Sequence, residues 1–344
     1  MTRREALLAG ASAGASMCLW PSAPSGIAQR SPAPCATTGT AHAMTLSDVE
    51  ALALQRMTPE VSGFICGGSV DALTARWNRE AFDRVRLRTG LVAPTGRVDT
   101  HLTLFGQALA SPLLVAPRAW QSIIHPDGEV ATARGARHAE TVMVMSALAS
   151  LRLETIAKAA HPPPWFQLDV QMDRGLTRAL LQRADAAGCR VLCVTVEART
   201  TWKDLDWLRS CSRLRMVLRG IVRPEDGERA VREQIAGVIV ANDGHGLETR
   251  PAAIDALPAV AEKVAGRIPV LMDGGIRLGT DIVKALALGA SAVLVGRPVL
   301  YGLAIGGASG VHRVLTILRQ ELEMAMASAG CSSLASINRS VLSS

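Results

Sequence analysis

The sequence predicts one α/β domain of the (β/α)8 (TIM) barrel class, with an N-terminal helical and hairpin extension. Three observations predict it. From Pro112 onward, eight short β-branched runs alternate with helical stretches. The runs are apolar throughout rather than every second residue, as parallel strands buried on both faces must be. The chain of 344 residues, 49% hydrophobic and 19% charged, is long enough for one large core and close to the size of one such barrel. A doubly wound sheet is the competing class, but no G-x-G-x-x-G follows the first strand.

Residues 1–43 read as an export signal and linker. Arg3 and Arg4 precede a weakly apolar run from Ala6 to Trp20, and a Pro/Ser/Ala-rich stretch follows. That is a basic region, a modest hydrophobic region and a small-residue cleavage zone, ending after Ala28 or Ala43. The adjacent arginines resemble a twin-arginine signal, so export of the folded protein to the periplasm is expected. Residues 44–344 form the domain: an extension over 44–111, then the barrel over 112–344. The extension reads as helices over Leu46–Arg56 and Ala72–Val85, then a hairpin across the barrel bottom.

The barrel strands are expected at 112–117, 142–147, 164–170, 190–196, 214–221, 237–242, 268–275 and 292–298. Helical stretches such as 128–139, 174–187, 252–266 and 279–288 lie between them. Thirty glycines and seventeen prolines supply the many turns a βα repeat needs. No stretch holds 18 uninterrupted apolar residues, so no stable membrane span is expected once the signal is removed. The net charge of +7 is scattered and not interleaved with aromatics, which argues against a nucleic-acid partner. Seven cysteines include no C-x-x-C pair, and Cys189 and Cys193 share one strand face as small core residues. No metal site is expected.

Two motifs stand at the ends of the last two strands. Asp273-Gly274-Gly275-Ile276-Arg277 follows the seventh, with Gly279-Thr280-Asp281 opening the next helix, and Gly296-Arg297-Pro298 follows the eighth. A (β/α)8 barrel builds its phosphate site from these two loops. Glycines let backbone N–H groups approach an anion, a helix start adds a favourable dipole, and Arg277 and Arg297 can clamp from two sides. Asp273 is placed to accept from a sugar-chain hydroxyl. A phosphate-bearing ligand is therefore expected. An aldolase-type barrel is disfavoured because the strands offer no lysine for a Schiff base.

The chain resembles the FMN-dependent α-hydroxy-acid dehydrogenase/oxidase family. The stretches that carry the resemblance are Asn78–Arg84, Val115-Ala116-Pro117, His125-Pro126-Asp127-Gly128-Glu129, Phe166-Gln167-Leu168, Trp202-Lys203-Asp204, the run from Asp273 to Ser291, and Gly296-Arg297-Pro298. The similarity spans roughly residues 45–340. It implies FMN across the top of the barrel and hydride transfer from a substrate α-carbon to flavin N5. It also implies that the backbone of Pro117-Arg118-Ala119 faces N5, although the middle residue is usually Thr. Gln167 and Thr195 match residues that hydrogen-bond the flavin ring. Arg219 takes the place of a lysine near N1 and O2, keeping the charge but not the geometry. Ala147 and Ala241 stand where the family has Ser.

On the substrate side the resemblance fails repeatedly. The family's Ser-Asn-His-Gly-Ala-Arg after the sixth strand is here Ala241-Asn242-Asp243-Gly244-His245-Gly246. Asp243 stands in place of the proton-abstracting His, and Gly246 in place of an Arg that binds the substrate carboxylate. Asp169 and Phe64 replace two tyrosines, and Thr-Val-Asp becomes Thr195-Val196-Glu197. The long basic loop beyond it, which bears another substrate Arg, is absent. The residues left to act as base are Asp243, Asp169 with its carboxylate raised by pairing, or His245 two positions on. Only Arg118, Arg199 or Arg250 remain to offset the added negative charge. A carboxylate substrate held about 4 Å from either Asp would lose about 4 kcal/mol at an effective dielectric near 20. The expectation is thus an FMN oxidoreductase for a small molecule with an altered substrate. The alternative is an FMN-binding paralogue with impaired catalysis. The electron acceptor and oligomeric state are left open, a homo-oligomer being allowed.

Overall fold

The computed structural model describes residues 45–66, 73–88, 97–196, 200–242 and 250–343. The proposed signal lies outside them, as do Asp243, His245, Glu197 and Arg199.

Eight parallel strands form the barrel: β3 (Leu113–Val115), β4 (Val144–Ser146), β5 (Trp165–Asp169), β6 (Val191–Thr195), β7 (Arg215–Ile221), β8 (Gly237–Val240), β9 (Val270–Asp273) and β10 (Ala292–Val295). Their order is β3-β10-β9-β8-β7-β6-β5-β4, and a parallel bridge from Val115 to Met143 closes the ring. All eight expected runs become strands, each trimmed at its ends. The trimming has local causes. The seventh run stops at Asp273 because Gly274 and Gly275 turn out of the sheet at φ of +119° and +83°. The eighth stops at Val295 because Pro298 already belongs to a helix, where its missing N–H costs nothing in the first turn.

Side chains alternate between two cores. Leu114, Val144, Val191, Val217, Ile239, Leu271 and Leu294 fill the barrel interior, while Leu113, Met145, Leu192 and Leu218 face the helices outside. Both sets are buried, which is why the strands read as unbroken apolar runs. The outer layer comprises α4 (Gly128–His138), α5 (Leu153–Ala159), α6 (Arg174–Ala186), α7 (Trp202–Cys211), α8 (Pro224–Arg232), α9 (Ala253–Val264), α10 (Gly279–Ala287) and α11 (Arg297–Ser328). The last is broken at Gly306 and Gly307, where a side chain on Gly307 would meet the His125 ring at 2.9 Å.

The extension supplies α1 (Leu46–Arg56), α2 (Pro59–Cys66) and α3 (Leu73–Arg84), then the hairpin β1 (Leu102–Leu104) and β2 (Gln107–Leu109). Helix α2 was not expected from the sequence. Thr45 and Asp48 close a capping box that starts α1. The hairpin plugs the bottom, as expected. Leu104 and Leu109 pack on the lowest interior layer beside Trp165, and Gln107 accepts from Trp165 Nε1 at 2.8 Å. Arg215, at the start of β7, donates to the Phe105 carbonyl at 2.6 Å. With the bottom sealed, the mouth of the barrel is left to the C-terminal strand ends. Among the described residues no helix is long and apolar enough to cross a membrane.

Candidate active site

Parallel strands deliver every βα loop to one end, so residues far apart in sequence converge there. Neighbour pairing sets a common level: Asp169 lies beside Thr195, and Thr195 beside Arg219. The amide of Gln167 donates to Asp169 Oδ1 at 2.8 Å and to Thr195 Oγ1 at 2.9 Å. Both hydrogens of that NH2 are thereby used. Gln167 Oε1 remains an acceptor and the Thr195 hydroxyl remains a donor, a combination suited to the polar edge of a heterocycle. Asp169 is the one proposed catalytic residue within the described structure. It is half-buried and anchored by its neighbour, and among the described residues it is paired with no cation.

Arg219 does not point freely into the mouth. Its Nε donates to Asp273 Oδ2 at 3.1 Å and its Nη2 contacts the same oxygen. The side chains are only 8% and 6% exposed. Asp273 is therefore first the partner of Arg219, and its role toward a sugar chain is shared with that ion pair. At the end of β4, Ala147 offers no hydroxyl, but the preceding residue does. Ser146 is buried beside Gln167 in the sheet, and its Oγ accepts from the Leu148 N–H at 3.1 Å. The sequence reading passed over it.

Pro117-Arg118-Ala119 leaves β3 at the rim. The Arg118 carbonyl accepts from Gln121 Nε2 at 3.2 Å, and Gln121 Oε1 accepts from Thr132 at 2.5 Å. Glu129, fully buried, takes the N–H of Gln121 and of Ser150 on one oxygen, each at 2.9 Å. One carboxylate thus ties the loop after β3 to the loop after β4. Phe64 packs against Trp120 with ring centres 5.7 Å apart and tilted by 41°, which brings α2 to this same rim.

The phosphate end differs from expectation in one respect. The amides of Arg277, Leu278 and Gly279, which lead into α10, are already taken. Asp281 accepts from the N–H groups of Arg277 and Leu278, each at 2.9 Å, and Glu321 accepts from Gly279 at 2.8 Å. Asp281 is held in turn by Arg79. The dipole of this helix start is therefore spent on the protein's own carboxylates. The turns at Gly274, Gly275 and Gly296 and the side chains of Arg277 and Arg297 are what remain for a candidate anion cradle. Gly275 has no room for a side chain, since a Cβ there would lie 2.5 Å from the Asn78 carbonyl oxygen. Asn78 also bridges to Asn242 by paired amide bonds of 2.6 and 3.1 Å, locking the loop after β8 to α3. Arg277 and Arg297 line a cavity of about 560 Å³ with Gly275, Glu50 and Cys66. Burial, then the nearby charges of Arg297 and Arg118, pull the Arg277 guanidinium down to about 10. A buried cation depressed by other cations is a site that an anion would stabilise.

Among the described residues no cluster of His, Cys, Asp and Glu could hold a metal ion. The donors and acceptors at the end of β5 and β6, the glycine turns and the converging arginines together fit a phosphorylated ring cofactor. Fold and site define a flavin-nucleotide oxidoreductase built on a (β/α)8 barrel. Comparison with known proteins agrees. The family model for FMN-dependent dehydrogenases matches residues 53–200 and 196–344. The chain is 38% identical to an L-lactate oxidase of Nostoc sp., covering 87% of this chain and 98% of the relative. It is 36% identical to 2-hydroxyacid oxidase 2 of Homo sapiens, covering 86% and 97%. A solved mandelate oxidase superposes with a TM-score of 0.83 at 36% identity, covering 87% of this chain and 98% of that one. The chain belongs to the FMN-dependent dehydrogenase family, uses FMN, and is an oxidoreductase of the kind that acts on CH–OH groups.

Proposed function

We propose that this oxidoreductase acts on a neutral or cationic alcohol rather than on a simple 2-hydroxy carboxylate. Asp169 carries the reading. It sets a carboxylate at the mouth, one register step from Thr195, where the family pattern has a tyrosine. Relatives whose names refer to lactate and mandelate define the usual anionic substrate class. An anion about 4 Å from Asp169 would lose about 4 kcal/mol at an effective dielectric near 20, and a cation would gain as much. The Arg219 charge offers little relief, because Asp273 already neutralises it.

When bound, FMN supplies the hydride acceptor. The protein supplies position and proton handling. Gln167 and Thr195 present fixed polar groups at the cofactor ring, and Asp169, Asp243 and His245 are the groups left to take the hydroxyl proton. Asp243 and His245 belong to the loop after β8 by sequence.

The test is anaerobic flavin bleaching across a panel of hydroxy acids, neutral diols and amino alcohols. Bleaching by a neutral or amino alcohol is the expected result. Rapid bleaching by glycolate, lactate or mandelate would show the reading to be wrong. No bleaching by any of them would favour the FMN-binding protein with impaired catalysis. That second reading has support in the same place, since the Gln167 amide hydrogens are both engaged within the protein.

A further inference from the structure

We propose that Arg118 is a third cationic arm of the phosphate cradle, beside Arg277 and Arg297, and that it selects the phosphorylated cofactor over the bare flavin. The family pattern carries Thr at this position, so this chain would add a contact of its own.

The geometry begins with the barrel. Strands β3 and β10 are neighbours, with Val115 beside Val295. Arg118 follows Val115 by three residues, and Arg297 follows Val295 by two, so both leave adjacent strand ends. The Arg118 side chain then lies over Gly296. A Cβ built on Gly296 would sit 2.8 Å from both Nε and Nη2 of Arg118 and 3.2 Å from its Cζ. Only glycine leaves space for that guanidinium. It therefore rests against the residue immediately before Arg297, at the phosphate loop.

Charge supports the assignment. Arg118 and Arg297 both act on Arg277 as repelling charges, and Glu50 is the carboxylate that acts on it in opposition. A phosphomonoester at neutral pH carries close to two negative charges, which would relieve the repulsion among these cations. Arginine forks bind phosphate oxygens in pairs, so three of them approaching from three strand ends can saturate the group. Held this way, Arg118 is committed to the cofactor and does not compensate for the substrate-side arginines that the sequence lacks.

The experiment compares FMN with riboflavin on the deflavinated full chain by fluorescence quenching. Riboflavin lacks the phosphate and keeps the ring, so its binding also reports that the protein is folded. Arg118→Ala should weaken FMN roughly 10- to 100-fold while leaving riboflavin unchanged. It should also flatten the dependence of FMN affinity on salt, and Arg118→Lys should recover much of the loss. Equal losses for both flavins, or no loss for either, would overturn the proposal. If the alanine variant does not fold, Arg118→Gln is read by the same ratio. The readout is independent of any substrate, so it stands apart from the test of the substrate class.

Discussion

Arg219 and Asp273 form an ion pair inside the barrel mouth, joining β7 to β9 over the end of the intervening β8. Two guanidinium nitrogens meet one carboxylate oxygen, a contact that a lysine at this position would make with a single nitrogen. Ala241 follows β8 with a side chain too small to stand between them. The pair compensates a cation that would otherwise stand buried in the mouth.

Asp273→Asn should therefore take from a buried arginine the carboxylate that meets two of its nitrogens. A loss of about 3–5 kcal/mol in unfolding free energy is expected for the apoprotein, the cost of breaking a buried ion pair from one side. Denaturant unfolding measures it. In the FMN-loaded protein the same change should raise the flavin reduction potential, since an unshielded positive charge favours the reduced anionic flavin.

Glu129→Ala should cost about 2–4 kcal/mol, from the buried Gln121 N–H left without an acceptor and the lost hydrogen bond to Ser150. Glu129→Gln should recover most of it, because one amide oxygen can still accept from both Gln121 and Ser150. Unfolding curves give the stability. The visible circular dichroism of bound flavin should change in the alanine variant, as both rim loops lose their tie.

Glu321 gives a pH signature. Burial, the larger effect, raises its carboxyl above the usual 4.5, against the opposing pull of the Gly279 N–H. The folded state then holds a proton that the unfolded state has released. The stabilising effect is full below pH 4.5 and is lost as pH rises through the raised folded value. Glu321→Gln mimics the protonated form and keeps an acceptor for Gly279. The variant and the natural protein should be equally stable at low pH, and the variant should be the more stable at neutral pH. Thermal melts across pH check the divergence.

Export is proposed on the strength of Arg3 and Arg4 ahead of the weakly apolar run. Replacing both with Lys should hold the full-length chain in the cytoplasm, where cell fractionation would find it. Periplasmic recovery of the double variant at the natural level would remove the twin-arginine reading.

Sequence periodicity alone determined the barrel, because eight strands buried on both faces must be apolar at every position. The glycine turns and arginines at Asp273–Arg277 and Gly296-Arg297 likewise marked the phosphate loops, since close backbone approach and anion charge restrict residue type. What only the tertiary structure decided is which groups are already spoken for. Asp281 and Glu321 take the amides leading into α10, Asp273 holds Arg219, and Gln167 holds Asp169. Ser146 and Glu129 gained their places in the same way. The pairs Arg219–Asp273, Gly279–Glu321 and Ser150–Glu129 join different βα units, and their meeting is set by how the barrel packs rather than by any local spacing. The sequence could name the donors and acceptors of the mouth, but their pairing exists only once β3 has come round to β4.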